Sequence, residues 1–351
     1  MTKTDLAALI GATVQTVSKY ERGDSVPPPD RVAALSEALT MPTAFFFDAS
    51  MPESIAEEGA SFRALSKMSA RQRHSAVAAS AFCVRLNTWL EEHFELPSHD
   101  LPDSEISDFH PAAAATTLRS RWKLGNHPIS NLLHTVEKHG VRVFALPGPC
   151  REVDAFSFWH ERTPFVCLGT HKTPERAVFD LAHELGHLVL HQEHIEPRGR
   201  QAETEANLFA SNFLMPADDL TTHVPRFPTL DVLVEAKTRW RVSVAALNYR
   251  LHQLGLVSEW HYREMCINIA QYGRTREPNS LRRDHSYILT NAFAEMRNEG
   301  ITRADIARQL NFSLDDLNQL LDGLTVTVIE GQAATRRDGG GDRRGHLALV
   351  E

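Results

Sequence analysis

The segment that decides the fold is TPERAVFDLAHELGHLVLHQEH, residues 173–194. Thr173 suits a helix N-cap, and Pro174 suits the first helical position, where its missing N–H costs nothing. Apolar residues then recur at intervals of three and four, which predicts a buried amphipathic helix. These residues are Ala177, Val178, Leu181, Leu185, Leu188 and Val189.

This helix carries the sequence His-Glu-x-x-His. His183 and His187 lie four residues apart, so both imidazoles lie on one helix face and can reach one metal ion. Glu184 lies about 100° further round, where its carboxylate can reach a metal-bound water without binding the metal. The pattern predicts a zinc site in which Glu184 is the general base. The alternative is two histidines that share a face by chance, but the apolar flanks and the small Gly186 favour the metal site.

A catalytic zinc site needs a third protein ligand. His191 lies one turn too far along the helix, so a role as a polar residue at the helix end is favoured. The segment QAETEANLFASNFLMP, residues 201–216, predicts a second helix with two candidates, Glu203 and Glu205. Glu205 shares a face with apolar residues and points to the packed side, whereas Glu203 lies almost opposite and is expected in solvent.

Three separated motifs resemble the ImmA/IrrE family of metallopeptidases. They are HELGH with ETEANLFASNFLMP (203–216), VSVAALNYRLHQLGLVSE (242–259) and YREMCINIAQYGRTREP (262–278). The resemblance covers roughly residues 60–280. It implies an α+β, zincin-like domain. It further implies His183, His187 and Glu205 as zinc ligands and Glu184 as the general base.

The segment AFSFWHERTPFVCLGT, residues 155–170, predicts two short strands. A strand beside the active-site helix can pair with an extended peptide substrate. The candidate edge strand runs from Pro164 to Leu168. The predicted substrate-binding residues on it are Phe165, Val166, Cys167 and Leu168. The alternative is an ordinary core strand.

The N-terminal residues 2–47 show the rhythm of a helix-turn-helix, with helices at 4–10 and 14–22. The stretch VPPPDRVAALSEAL, residues 26–39, then caps and starts a third helix. We expect the first two helices to pack through Leu6, Leu9, Val14 and Val17. The stretch GATVQTVSKYERGDSVPPPDRVAALSEAL resembles the XRE (Cro/repressor-type) DNA-binding domain. That domain starts with a further helix, which we expect to be missing here.

The second helix of such a motif enters the major groove of DNA. The predicted DNA contacts are Gln15, Thr16, Ser18, Lys19 and Arg22. Residues 1–50 contain four basic and six acidic side chains, a sum of 4 − 6 = −2, which is unfavourable for attracting phosphates. A basic run follows and could extend the DNA contact, although a solvated helix face is favoured. It comprises Arg63, Lys67, Arg71, Arg73 and Arg85.

The predicted fold is mostly α with a small β-sheet. Its predicted parts are the helix-turn-helix (1–50), a helical linker (51–110), the metallopeptidase domain (111–260), a C-terminal helical module (261–329) and a disordered tail (330–351). The segment TRADIARQLNFSLDDLNQLL, residues 302–321, repeats the helix-turn-helix rhythm. Asp315 and Asp316 would repel phosphates there, so we expect a packing or protein-interaction module.

Composition limits the class of protein. The net charge of −8 argues against a chain that binds nucleic acid through its overall charge. The four cysteines show no CxxC spacing, which indicates reduced thiols in a cytoplasmic protein. No apolar run approaches the length of a membrane span, and we expect no signal peptide.

These patterns lead to two hypotheses. The first is a cytoplasmic zinc endopeptidase, coupled to a DNA-binding domain, that regulates transcription by cleaving a helix-turn-helix repressor. The second is a non-proteolytic regulator whose metallopeptidase-like domain senses a ligand or forms a homodimer. Two histidines and a carboxylate suit Zn²⁺ best and also accept Mn²⁺.

Overall fold

The computed structural model describes residues 1–48, 51–52, 70–102, 110–148, 153–191, 199–273 and 276–325, without the side chains of 70–74 and 77. This part of the chain contains fifteen α-helices and one three-stranded sheet, which confirms the predicted fold class. Of the basic run, only the Arg85 side chain is described; the predicted tail at 330–351 also lies outside the described residues. None of the described helices is long and apolar enough to cross a membrane.

The N-terminal helices are α1 (Lys3–Leu9), α2 (Val14–Glu21) and α3 (Pro29–Leu39), followed by a 3-10 helix (Thr43–Phe47). The next helices are α4 (Ala70–His93), α5 (Pro111–Arg121) and α6 (Leu132–Lys138). The strands are β1 (Arg142–Ala145), β2 (Ala155–His160) and β3 (Thr163–Leu168). Then come α7 (Pro174–Leu190), α8 (Arg200–Leu214), α9 (Ala217–His223), α10 (Leu230–Trp240), α11 (Val244–Gln253) and α12 (Glu259–Ala270). The C-terminal helices are α13 (Tyr287–Asn298), α14 (Arg303–Gln309) and α15 (Leu314–Leu321).

The N-terminal helices form the predicted helix-turn-helix around a small core of their own, made by Ala7, Ile10, Val17 and Leu35. For two of the four predicted packing residues the prediction is wrong, because Leu9 is 62% exposed and Val14 is 42% exposed. Ala7 and Ile10 take the inward positions of α1, so Leu9 lies about 100° away from Ile10 around the helix.

The sheet has the order β1-β3-β2, with β1 parallel and β2 antiparallel to β3. The expectation of an edge strand at Phe165, Val166, Cys167 and Leu168 is therefore wrong. These four residues pair with β1 on one side and with β2 on the other. The sequence pattern showed the β2–β3 hairpin but gave no sign that Arg142–Ala145 would cover the second edge of β3.

The C-terminal module repeats the local geometry of the N-terminal one at an offset of 300 residues. A Thr–Asp capping box opens both α1 (Thr2) and α14 (Thr302). The turn residue Asn311 has a φ of 56° and its counterpart Gly11 a φ of 63°. In the second copy, α15 packs against β1, and the Gln319 side chain accepts a hydrogen bond of 2.9 Å from the backbone N–H of Gly148.

The two modules meet at an aromatic cluster. Phe45 of the 3-10 helix stacks on Phe82 of α4, and Phe82 contacts Phe312 at a centroid distance of 4.6 Å. The Asn311 amide donates to the Asp48 carboxylate at 3.0 Å beside this cluster. The helix-turn-helix therefore contacts the rest of the described chain through residues that follow α3.

A buried carboxylate holds the C-terminal module to α6. Glu137 is 2% exposed and accepts hydrogen bonds from the Ser286 hydroxyl and from the backbone N–H of Tyr287 and Ile288, at the start of α13. Burial raises the pKa of Glu137 from 4.5 to about 7, although these three donors act in the opposite direction.

Glu137→Gln should change the pH dependence of stability. Since the folded pKa is raised, the protonated carboxyl stabilises the fold below about pH 4.5, and this contribution is lost as the pH rises through about 7. The unfolding free energy of the wild type, minus that of Glu137→Gln, should fall by up to about 3 kcal/mol across this window. Urea denaturation at pH 4.5 to 8 measures it; a constant difference would contradict the prediction.

Candidate metal centre

Helix α7 begins and ends close to the predicted positions. Thr173 caps it by accepting a hydrogen bond from the Arg176 N–H, and Pro174 occupies the first turn. The apolar face is buried between the sheet and the neighbouring helices. His183, Glu184 and His187 all lie on this helix.

Helix α8 crosses α7 at very short range, through Gly186. A Cβ atom on Gly186 would lie 3.3 Å from the Cα and carbonyl oxygen of Ala206 and 3.0 Å from the Phe209 ring. The two helices run antiparallel, since Glu203 lies beside His187 and Asn207 lies beside His183. The small residues at the crossing thus bring the polar residues of both helices together.

Three ligand atoms converge there. The Nε2 atoms of His183 and His187 are 3.1 Å apart, and the Glu203 carboxylate lies 3.5 Å from His187 Nε2 and 4.0 Å from His183 Nε2. A tetrahedral ion with ligands at about 2.05 Å would separate them by roughly 3.3 Å. The donor set and its spacing therefore fit a divalent metal ion with two imidazole ligands and one carboxylate ligand.

The structure differs from the sequence prediction at the third ligand, because Glu203, not Glu205, faces the two histidines. Glu205 lies two residues on, rotated by about 200° around α8, and its carboxylate meets His191 instead, at 3.1 Å. Helix α8 packs against both α5 and α7, so an apolar face on it did not reveal which side faces the histidines.

The protonation state and orientation of His183 suit it to bind a metal ion. Burial, and next the neighbouring His187, lower the pKa of His183 to about 4. The imidazole is therefore neutral at pH 7, as a metal ligand must be. Its Nδ1 lies 3.1 Å from the Asn207 side-chain oxygen, which leaves Nε2 facing the ligand cluster.

Glu184 is held in place by the sheet. Its carboxylate is 2% exposed and accepts a hydrogen bond of 2.7 Å from the hydroxyl of Ser157, on β2. Burial raises the pKa of Glu184 to about 7. A carboxyl group with a pKa near 7 is well matched to both accepting and returning a proton at neutral pH.

The cluster opens into a cleft of about 1110 Å³. His183, Glu184 and Glu203 line this cleft, together with Ala155 at the start of β2. Residues of α12 and residues 276–278 also line the cleft. The cleft is therefore large enough to hold several residues of a peptide.

Comparison with known families agrees with this architecture. Residues 136–252 match the model of the Peptidase_M78 family, described as an IrrE N-terminal-like domain. Residues 1–46 match a model described as a helix-turn-helix. The chain joins an XRE-type helix-turn-helix to an IrrE/ImmA-like domain. No individual curated protein matches it closely enough to count as a relative.

The helix-turn-helix domain exposes its predicted DNA contacts to different degrees. Gln15, Lys19 and Arg22 are exposed, whereas Thr16 and Ser18 are partly buried. Arg22 forms an ion pair of 2.8 Å with Asp24. Part of the basic charge on this face is thus neutralised within the domain.

Four residues near the centre of the IrrE-like domain were missed or undervalued by sequence reasoning: Ser157, His191, Glu203 and Asn207. A usable signal existed for two of them. Glu203 and Asn207 are polar residues four apart that flank the small Ala206, and such a face suits close packing against Gly186. Ser157 gave no signal, because its role depends on how β2 packs against α7.

Gly186→Ala tests the helix crossing of the IrrE-like domain. Alanine alone would favour the helix by about 1 kcal/mol, but the added methyl group meets the Ala206 backbone, which cannot rotate away. We expect overpacking to prevail and the unfolding free energy to fall by about 1–2 kcal/mol. Denaturant titration of the metal-free protein measures this. A variant as stable as the wild type would show that the helices can move apart freely.

Proposed function

We propose that this chain is a cytoplasmic zinc-dependent endopeptidase, coupled to a DNA-binding domain, that regulates transcription by cutting a repressor-type protein. The observation that carries the proposal is the meeting of His183, His187 and Glu203 beside a buried Glu184, at the wall of a cleft. The match to a peptidase family supports the same reaction class.

His183, His187 and Glu203 would hold the ion. Zinc bound there would supply a Lewis acid for the scissile carbonyl and would lower the pKa of a bound water to around 7. Glu184 follows directly after one of the ligands, so its carboxylate can take the proton of the attacking water and pass it to the leaving amine. The Ser157 hydroxyl holds this carboxylate in one orientation.

The substrate would lie in the cleft beside β2. The sheet order places β2 at the edge of the described sheet, and residues at its start line the cleft wall. This position replaces the predicted one on β3. Apolar side chains on α7 and α12, Phe179 and Ile269, line the same cleft and would contact the substrate's side chains.

The helix-turn-helix domain supports a role in transcription. By the resemblance, the protein that is cut would itself be a helix-turn-helix repressor. Its cleavage, or DNA binding by this chain, would then change the expression of the genes concerned.

Metal content separates the ligand residues from the base. Purified wild type should hold about one zinc per chain, Glu203→Ala should lose it, and Glu184→Gln should keep it. Glu235→Ala, on an exposed face of α10, removes an unrelated carboxylate as the control. Mass spectrometry of the metal measures all four proteins. Wild type without stoichiometric metal after purification with added zinc would disprove the site.

Turnover is tested with the same base variant. New protein N-termini should arise in cells that produce the wild type and should be missing when Glu184→Gln is produced, because the rate of hydrolysis depends on proton transfer. Mass spectrometry of labelled N-termini compares the two. Identical N-termini, with unchanged transcript levels in Glu184→Gln, would favour a regulator whose IrrE-like domain senses a ligand or dimerises.

The salt-dependent part of the DNA affinity should be small, because residues 1–50 contain more acidic than basic side chains. Duplexes selected from a random pool serve as the probe. Lys19→Ala should reduce the slope of log affinity against log salt by about 1. Gln15→Ala should weaken binding by about 1–3 kcal/mol, with Glu37→Gln, on an exposed position of α3, as the control. If selection yields no duplex that binds above background, DNA recognition by this domain is excluded.

A further inference from the structure

A chain of hydrogen bonds runs from α8 to one of the two histidines of the metal centre. Glu205 Oε2 lies 3.1 Å from His191 Nε2, and His191 Nδ1 lies 2.9 Å from His187 Nδ1. The other nitrogen of His187, Nε2, is the atom that faces His183 and Glu203. The chain therefore ends at a proposed ligand atom.

The chemistry of the donors fixes where each hydrogen lies. A carboxylate only accepts hydrogen bonds, so His191 Nε2–H must be the donor to Glu205. In a neutral imidazole the other nitrogen is then an acceptor, so His191 Nδ1 accepts from His187 Nδ1–H. This leaves the lone pair of His187 on Nε2, directed at the point where the ligand atoms converge.

We propose that His191 and Glu205 are positioning residues that fix the tautomer and the ring orientation of His187 for metal binding. The proposal rests on the zinc site proposed above and assigns a role to two residues outside the ligand set. A ligand histidine commonly donates its second N–H to an acceptor of this kind, and losing that acceptor typically weakens metal binding 10–100-fold.

The surroundings keep this chain rigid. The His191 side chain is only 1% exposed, and its backbone N–H donates to the carbonyl of His187 at 3.0 Å, which anchors it to the end of α7. On the other side, the Gln201 amide donates to Glu205 Oε1 at 3.0 Å. Both oxygens of the Glu205 carboxylate are hydrogen-bonded, and the His191 imidazole is buried. Because these two partners are fixed, the His187 ring has one favourable orientation.

Zinc affinity of full-length variants tests the proposal, measured by competition with a chromophoric chelator. His191→Phe keeps a flat ring without a hydrogen bond, and Glu205→Leu removes the acceptor; each should weaken zinc binding 10–100-fold. Glu205→Gln keeps an acceptor oxygen and should recover most of the affinity. Thr204→Ala, at an exposed position of the same helix, should bind zinc as the wild type does.

Two further readouts separate positioning from a general loss of structure. The visible spectrum of the Co²⁺-loaded protein should change in His191→Phe, since the ligand field depends on the orientation of the imidazole. The double variant His191→Phe with Glu205→Leu should lose no more affinity than His191→Phe alone, because both changes break one chain. Metal-free circular dichroism confirms folding, and Glu205→Leu, which changes only one partly exposed side chain, provides the test if His191→Phe does not fold.

The outcomes distinguish this inference from the proposed function. If wild type binds zinc and Glu203→Ala does not, while His191→Phe and Glu205→Leu bind it with unchanged affinity and an unchanged Co²⁺ spectrum, the positioning role is overturned and the zinc site stands. If wild type binds no zinc, both are overturned. If the two losses in affinity add up fully in the double variant, His191 and Glu205 do not act as one chain.

Discussion

The close contact between α7 and α8 at Gly186 is the constraint on which the proposed metal centre depends. Ala206 lies where a side chain on Gly186 would have to go, so the helices approach almost backbone to backbone. At this separation the carboxylate of Glu203 reaches the two imidazoles of α7. Larger residues at the crossing would push the ligand atoms apart and leave the histidines without a third partner.

The rest of the domain holds this helix pair in place through buried charges. At the start of α7, Glu175 accepts a hydrogen bond of 2.9 Å from Lys237 of α10, and both side chains are fully buried. The same carboxylate accepts the backbone N–H of Leu281 at 2.7 Å, and Lys237 also contacts Glu277 at 3.3 Å. Segment 276–284, part of which lines the cleft, is thereby fixed to the helix that carries the histidines. Removing one member of such a buried group leaves an uncompensated charge, so the network constrains the cleft as a unit.

Much of this was predictable from the sequence, where local patterns decide the structure. The cap at Thr173, the periodic apolar face of α7 and the four-residue spacing of His183 and His187 all depend on neighbours in the chain. The helix-turn-helix and its C-terminal repeat follow from caps and turns in the same way. For the third ligand, local pattern offered only the spacing of Glu203 and Asn207 beside Ala206, and for the edge strand it offered nothing. Glu203 is selected by the rotation of α8 against α7, and the position of β3 inside the sheet depends on β1, which lies about twenty residues earlier in the chain.

The most direct test of the proposed zinc site is a crystal structure of the zinc-loaded wild-type chain, with anomalous scattering recorded on both sides of the zinc absorption edge. One zinc peak should lie between α7 and α8, bonded to His183 Nε2, His187 Nε2 and the Glu203 carboxylate at about 2.0–2.2 Å. His191 should remain hydrogen-bonded to His187 and should not bind the metal. A zinc ion bonded to Glu205 in place of Glu203, or no peak between these helices, would contradict the proposed site.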